Sequence, residues 1–297
     1  MFRGIYTPVL TPFASDQSID YGKMAHNLAK WAATELAGIV VLGSNGEFVY
    51  LSEAEKREVV TFCLSHFPKD KKIIVGTSCE STMETIRFSQ QVAEMGADAV
   101  LVLPPHYYQS GMTERVLEQY FTEVADACPV PVMLYNMPAN TGLNLPSLLV
   151  SRLARHPNIA GIKDTSGNIV QLAEIIRDTD PAFAVFAGNA GYLLPALVLG
   201  AKGATLALAN ILPEDCCRLM DDVNSGRMEE ARLLQLRMLA INQLVTRGIG
   251  VPALKAAADM LGYQGGIPRK PLLPLDEKNR VLVENTLRAY QAGSPKS

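Results

Sequence analysis

Short apolar runs recur along the first three quarters of the chain, and an amphipathic stretch of helical period follows nearly every one. The runs fall at residues 4–10, 38–42, 72–77, 99–103, 131–135, 158–163, 183–187 and 203–207. The helical stretches fall at 20–35, 52–66, 81–95, 113–127, 146–155, 169–179, 192–199 and 213–224. The runs are apolar on both faces, as parallel strands covered on both sides must be. Strict alternation of strand and helix predicts a parallel sheet. Eight such units in about 225 residues predict an α/β chain closed into a (β/α)8 TIM barrel. Ser52-Glu53-Ala54-Glu55 and Ser81-Thr82-Met83-Glu84 read as capping boxes opening two of the helices. Beyond residue 225 only helical periodicity remains, at 228–246, 252–261 and 276–291. The organisation expected is a barrel at 1–225 and a helical C-terminal region at 226–297, ending in a frayed tail at Gly293-Ser294-Pro295-Lys296-Ser297.

One strand breaks the apolar rule. Asn158-Ile159-Ala160-Gly161-Ile162-Lys163 ends in a lysine and runs into the polar loop Asp164-Thr165-Ser166-Gly167-Asn168. Alternation along a strand puts Lys163 on the face of Ile159 and Gly161, with Ile162 and Asp164 on the other. Burial disfavours the charged form of such a lysine. Two readings follow. The stem packs and the ammonium reaches water or an acid, or the amine stays neutral and attacks a ketone to form a Schiff base.

Barrel enzymes place their chemistry at the C-terminal ends of the strands. That rule selects Ser44, Asn45 and Glu47 after the second strand, Tyr107 and Tyr108 after the fourth, and Tyr135 and Asn136 at the fifth. It adds Lys163, Asp164 and Thr165 at the sixth, Gly188 and Asn189 at the seventh, and Asn210 beyond the eighth. One amine, a phenol, a hydroxyl and several amides suit imine chemistry on a carbonyl substrate, with proton shuttling through the hydroxyls. Plainer readings stand beside this one. Tyr135 could be a core aromatic, Ser44-Asn45-Gly46 a simple turn, and Tyr107-Tyr108 interface packing.

Composition narrows the field. The chain is 48% hydrophobic and 19% charged, with a formal net charge of -3 and no basic run, which argues against a nucleic-acid partner. No apolar stretch nears the eighteen or so residues of a membrane helix. The N-terminus runs straight into a strand, without the pattern of a signal peptide. Five cysteines without CxxC spacing read as reduced thiols, and the expected location is cytoplasmic. Four histidines without HExxH spacing leave no metal expected. Gly43 and Gly46 form neither GxGxxG nor a P-loop, so nucleotide binding has no support.

Four motifs taken together carry a resemblance over essentially the whole chain: Gly43-Ser44-Asn45-Gly46-Glu47, Tyr135-Asn136-x-Pro138-x-x-Thr141-Gly142, Gly161-Ile162-Lys163 and Gly188-Asn189. The chain resembles the dihydrodipicolinate synthase / N-acetylneuraminate lyase family of class I, pyruvate-dependent barrel enzymes. The resemblance implies that Lys163 forms an imine with pyruvate or another 2-oxo acid, with no other cofactor. It implies that Tyr135 is the acid/base phenol and Ser44 the relay hydroxyl. Tyr107 would complete the relay from a neighbouring subunit, within a homotetramer built as a dimer of dimers. Substrate contacts are assigned to Ser44, Asn45, Thr165, Asn140, Gly188 and Thr205.

Two departures set the chain apart from the dihydrodipicolinate synthases. Ser44 and Asn45 stand where those usually carry two threonines, and Asn140 stands where they carry an arginine. An amide does not replace a bidentate guanidinium. The closer resemblance is to the 4-hydroxy-2-oxoglutarate aldolase branch. It is carried by residues 43–48, Cys79-Glu80-Ser81-Thr82, residues 138–142, Lys163-Asp164, Ala207-Leu208-Ala209-Asn210 and Gly262-Tyr263-x-Gly265-Gly266. It implies reversible cleavage of a 4-hydroxy-2-oxo acid to pyruvate and an aldehyde, with glyoxylate as the expected product. The competing expectations are a 2-keto-3-deoxy sugar-acid aldolase or dehydratase, a dihydrodipicolinate synthase-like condensation, and a non-catalytic 2-oxo-acid binder.

Overall fold

The computed structural model describes residues 2–293, and all but the first residue of the expected frayed tail lie outside them. The strands are β1 (Gly4–Pro8), β2 (Gly38–Val41), β3 (Lys72–Gly76), β4 (Ala99–Val102), β5 (Val132–Asn136), β6 (Ile159–Asp164), β7 (Ala184–Ala187) and β8 (Gly203–Thr205). Each pairs in parallel with the next, and β8 returns to β1, so the eight close into a barrel. The helices between them are α1 (Tyr21–Ala32), α2 (Glu53–His66), α3 (Thr82–Glu94), α4 (Glu114–Ala127), the single turn α5 (Pro138–Thr141), α6 (Ser147–Leu153), α7 (Ile169–Asp178), α8 (Leu193–Leu199) and α9 (Pro213–Asn224). The C-terminal region contributes α10 (Met228–Gln243), α11 (Val251–Met260) and α12 (Glu277–Gln291).

Alternation along the strands divides the core in two. An inner cluster of Tyr6, Val40, Ile74, Leu101, Met133, Tyr135 and Phe186 fills the barrel. An outer layer of Ile39, Val75, Val100, Leu134, Ile162 and Val185 packs against the helices. Helix starts follow the capping residues. Ser52 and Glu55 form a full capping box, whereas Ser81 accepts the Glu84 N–H without return, because the Glu84 carboxylate is held by Arg87 at 2.9 Å.

Simple alternation fails on the strand that matters most. The pairing of β5 with β6 steps from Val132–Ile159 to Met133–Gly161, leaving Ala160 as an extra residue. This bulge turns Ile159 into the outer layer with Ile162, while Ala160 packs against the inner cluster. Lys163 therefore shares its face with Gly161 but not with Ile159, and the expectation from plain period two is corrected there. No helix among the described residues is long and apolar enough to cross a membrane.

Candidate active site

Lys163 stands at the C-terminal end of β6 and is 4% exposed. Its neighbours across the sheet are Tyr135 of β5 and Phe186 of β7. Its Nζ lies 4.1 Å from the centroid of the Tyr135 ring. Among the described residues its amine has neither an ion-pair nor a hydrogen-bond partner. Apolar side chains wall the lysine below, and a cavity of about 670 Å³ opens beside it.

The Tyr135 hydroxyl donates to Met137 Sδ at 2.8 Å and lies 3.5 Å from Ser44 Oγ. Ser44 Oγ reaches the same sulphur at 3.6 Å. The serine–tyrosine contact is at the outer limit of a hydrogen bond, a spacing common before substrate draws catalytic groups together.

Ser44 and Asn45 sit in a single helical turn, Ser44–Gly46, between two strained residues. Leu42 has φ 58° and Glu47 has φ 55°, left-handed values that cost a bulky side chain on the order of 1 kcal/mol each. The surroundings enforce them. The Glu47 carboxylate pairs with Lys255 Nζ at 2.6 Å, both residues being at most 1% exposed, and accepts the Arg269 backbone N–H at 2.8 Å. Lys255 Nζ also donates to the carbonyls of Thr11 and Ile267, and Thr11 Oγ1 donates to the Gly46 carbonyl at 2.7 Å. A buried ion pair from the C-terminal region thus holds the turn that carries Ser44. The amides of Ser44 and Asn45, first in their turn, find no acceptor among the described residues.

On the outer face of β6, Asp164 accepts from Asn136 Nδ2, Gln171 Nε2 and Ser166 Oγ, so it fixes the loop rather than pairing with Lys163. Thr165 Oγ1 is buried without a partner among the described residues. It presses against Gly188, where a Cβ would come within 2.2 Å of it; only glycine allows that approach.

With this geometry in view, comparison with known proteins is decisive. The model of the dihydrodipicolinate synthetase family matches residues 1–290. A protein of Emericella nidulans described as "Probable 4-hydroxy-2-oxoglutarate aldolase, mitochondrial" is 38% identical over 288 residues, covering 95% of this chain and 93% of the relative. A 4-hydroxy-tetrahydrodipicolinate synthase of Caldicellulosiruptor bescii is 32% identical over 290 residues, covering 98% and 97%. Among solved structures, a prophage protein of the dihydrodipicolinic acid synthase family from E. coli K12, in complex with pyruvate, superposes with TM-score 0.93 at 32% identity. It covers 98% of this chain and 99% of that one. The chain belongs to the dihydrodipicolinate synthetase family. Membership makes it a class I, pyruvate-type lyase.

Against that family frame, the expected residues divide. Lys163, Tyr135, Ser44, Asn45, Thr165, Asn140 and Gly188 all line the one cavity, together with Asn189. Tyr107, Thr205 and Asn210 do not, and neither do Glu47, Tyr108, Asn136 and Asp164, which also stand at or beyond strand ends. Tyr107 is 77% exposed and stacks edge-on against Tyr108, outside the cavity of its own chain. Thr205 is 2% exposed and outside the cavity wall; β8 ends there, and the following turn (Ala207–Asn210) brings Ala207 to the wall instead. Asn210 is buried, donating to the carbonyls of Pro8 and Ala207 and accepting from Trp31 Nε1, which makes it a structural tie. The lining also includes residues that the strand-end rule does not select: Met137, and Thr246, Arg247, Ile249, Pro252 and Leu272 from the C-terminal region. Gly248, Gly250 and Pro252, clustered after a long helical run, were the available signal of a turn there.

Proposed function

We propose that the protein is a Schiff-base aldolase that cleaves 4-hydroxy-2-oxoglutarate to pyruvate and glyoxylate, reversibly and with no cofactor beyond the imine. The observation that carries this reading is Lys163, a buried, unpartnered amine beside a phenol at the edge of a cavity. The 38% identity to the Emericella nidulans protein supports the choice of substrate.

The unprotonated Lys163 amine adds to the C2 ketone, and loss of water leaves an iminium. The proton of the C4 hydroxyl passes to the Tyr135 oxygen as the phenol's own proton moves on through Ser44. The C3–C4 pair flows into the iminium, glyoxylate departs, and an enamine remains. Protonation at C3 and hydrolysis release pyruvate and restore the lysine. The free amides of Ser44 and Asn45 suit the C1 carboxylate. Tyr107, exposed and outside the lining of its own chain's cavity, completes the relay from a second subunit of a homotetramer.

Asn140 favours this reading over condensation of pyruvate in lysine synthesis, because its amide supplies one donor face where a guanidinium fork would supply two. Borohydride reduction in the presence of pyruvate, read by peptide mass spectrometry, tests the chemistry: a reduced pyruvyl adduct on Lys163 is expected. Its absence at saturating pyruvate would leave a non-imine enzyme or a binder. Cleavage of 4-hydroxy-2-oxoglutarate, run beside a six-carbon 2-keto-3-deoxy acid, tests the substrate. Faster cleavage of the six-carbon acid would transfer the assignment to sugar-acid chemistry.

A further inference from the structure

Among the described residues, two charged side chains line the cavity, Lys163 and Arg247, and no carboxylate accompanies them. The position of Arg247 is built by a change of helical winding. α10 runs regularly to Gln243; the next turn, Leu244–Gly248, is π-helical and is closed by the Ile249 N–H on the Leu244 carbonyl at 3.0 Å. Such turns push a residue out of the regular helix face and recur at functional sites. This one is anchored to the loop after β7. Asn242 Nδ2 donates to Asn189 Oδ1 at 2.9 Å, and Gln235 Nε2 donates to the Ala190 carbonyl at 2.8 Å while its oxygen accepts the Leu194 N–H.

The guanidinium lies over the loop that follows Lys163. A Cβ on Gly167 would sit 3.6 Å from one of its terminal nitrogens. It is exposed, and no acidic group among the described residues lies within ion-pair distance of it. The carboxylate of that loop, Asp164, is buried on the outer face with its oxygens already taken. Thr165 Oγ1, in the lining of the same cavity, is buried and has no partner among the described residues. A rigid fork of donors with no acidic partner among the described residues, in the lining of a cavity that also holds the Lys163 amine, matches a ligand that carries an anionic group besides its ketone.

We propose that Arg247 anchors the distal carboxylate of the substrate, so that the site selects 2-oxo diacids over 2-oxo monoacids and over hydroxyl-ended sugar acids. The inference rests on the imine reading only in placing the ketone at Lys163. Arg247 is then the specificity-determining contact, and Thr165 Oγ1 is free to add a hydrogen bond beside it.

The test is borohydride trapping at graded concentrations of 2-oxoglutarate and of 2-oxopentanoate, which has the same chain length without the second carboxylate. The wild-type protein is expected to reach half-saturation with the diacid at a concentration about 10- to 100-fold lower, the worth of one charge-assisted fork. Arg247→Gln is expected to abolish that preference, with Arg247→Lys keeping part of it. A wild type that traps both acids alike overturns the proposal. So does a Gln variant that keeps the preference, or one that weakens both acids equally, since the arginine is then structural. Failure to cleave 4-hydroxy-2-oxoglutarate while the diacid preference persists would overturn the proposed reaction and leave the role of Arg247 standing.

Discussion

Lys163 of the barrel and Lys255 of the C-terminal region are both buried, 4% and 1% exposed, and they keep opposite company. Lys255 has its charge matched: Glu47 at 2.6 Å, the carbonyls of Thr11 and Ile267, and the face of Phe13 at 4.5 Å. Burial still pulls its ammonium down to about 8, against the attraction of Glu47. Lys163 has an aromatic ring at 4.1 Å, no acid and no acceptor among the described residues, and an open cavity. Burial is common to both, so burial does not mark the nucleophile. What separates them is the satisfied partner list of one and the empty list of the other.

The sharpest way to break this comparison is to delete each lysine in turn. Lys163→Ala is expected to lower turnover by about 10⁴-fold or more and to abolish borohydride trapping, while Tm stays within a few degrees. Lys255→Met is expected to do the reverse. It leaves Glu47 buried without its cation, at a cost of about 3–5 kcal/mol. For a chain of this length that is a fall of about 10 °C in Tm by calorimetry. Turnover per folded molecule should survive at a reduced level, because the turn carrying Ser44 loosens. Equal losses of Tm in the two variants would show that Lys163 is structural as well.

A smaller effect is expected at the phenol. Tyr135→Phe should lower kcat roughly a hundredfold or more while trapping of pyruvate at Lys163 persists, since the ring remains and only the proton carrier is lost. Loss of trapping in that variant would mean that the phenol is needed to form the imine and would merge the two roles.

The different company of the two lysines also explains what was legible in the sequence. The barrel could be read because eight apolar runs and eight amphipathic stretches repeat locally, and short-range period is what sequence displays. Lys163 and Tyr135 could be read because each is an exception at a strand end, and β5 and β6 are neighbours in sequence order and in space. The Glu47–Lys255 pair joins residues far apart in the chain, and nothing local distinguishes Lys255 from any helical lysine. Arg247 was hidden for a related reason: a π turn is one extra residue in an otherwise regular helical pattern, and its direction depends on the β7 loop it is tied to. The bulge at Ala160 escaped in the same way, since it exists only relative to the register of β5.

The mildest test compares the buried pair with the more exposed one beside it. Arg269 forks Glu55, with its two terminal nitrogens at 2.9 and 2.7 Å from the two carboxylate oxygens, and stacks on Phe13 at 4.2 Å. Through its backbone it also holds Glu47, so both pairs tie the same C-terminal segment to the loops at the barrel mouth. The hydrogen bonds from Arg269 hold the Glu55 carboxyl at about 2, well below its ordinary 4.5. A folded value below the unfolded one means that the unfolded chain binds more protons between those limits. The stabilisation is therefore complete above pH 4.5 and is lost as the pH falls through about 2. Because the carboxyl is partly exposed, solvent screening reduces its worth to about 1–2 kcal/mol. Glu55→Gln should lower Tm by a few degrees at pH 7 and make Tm less sensitive to acid between pH 4.5 and 3, as read by thermal melts across that range. An identical acid slope in wild type and variant would show that this fork adds nothing, and that the Glu47–Lys255 pair alone holds the segment in place.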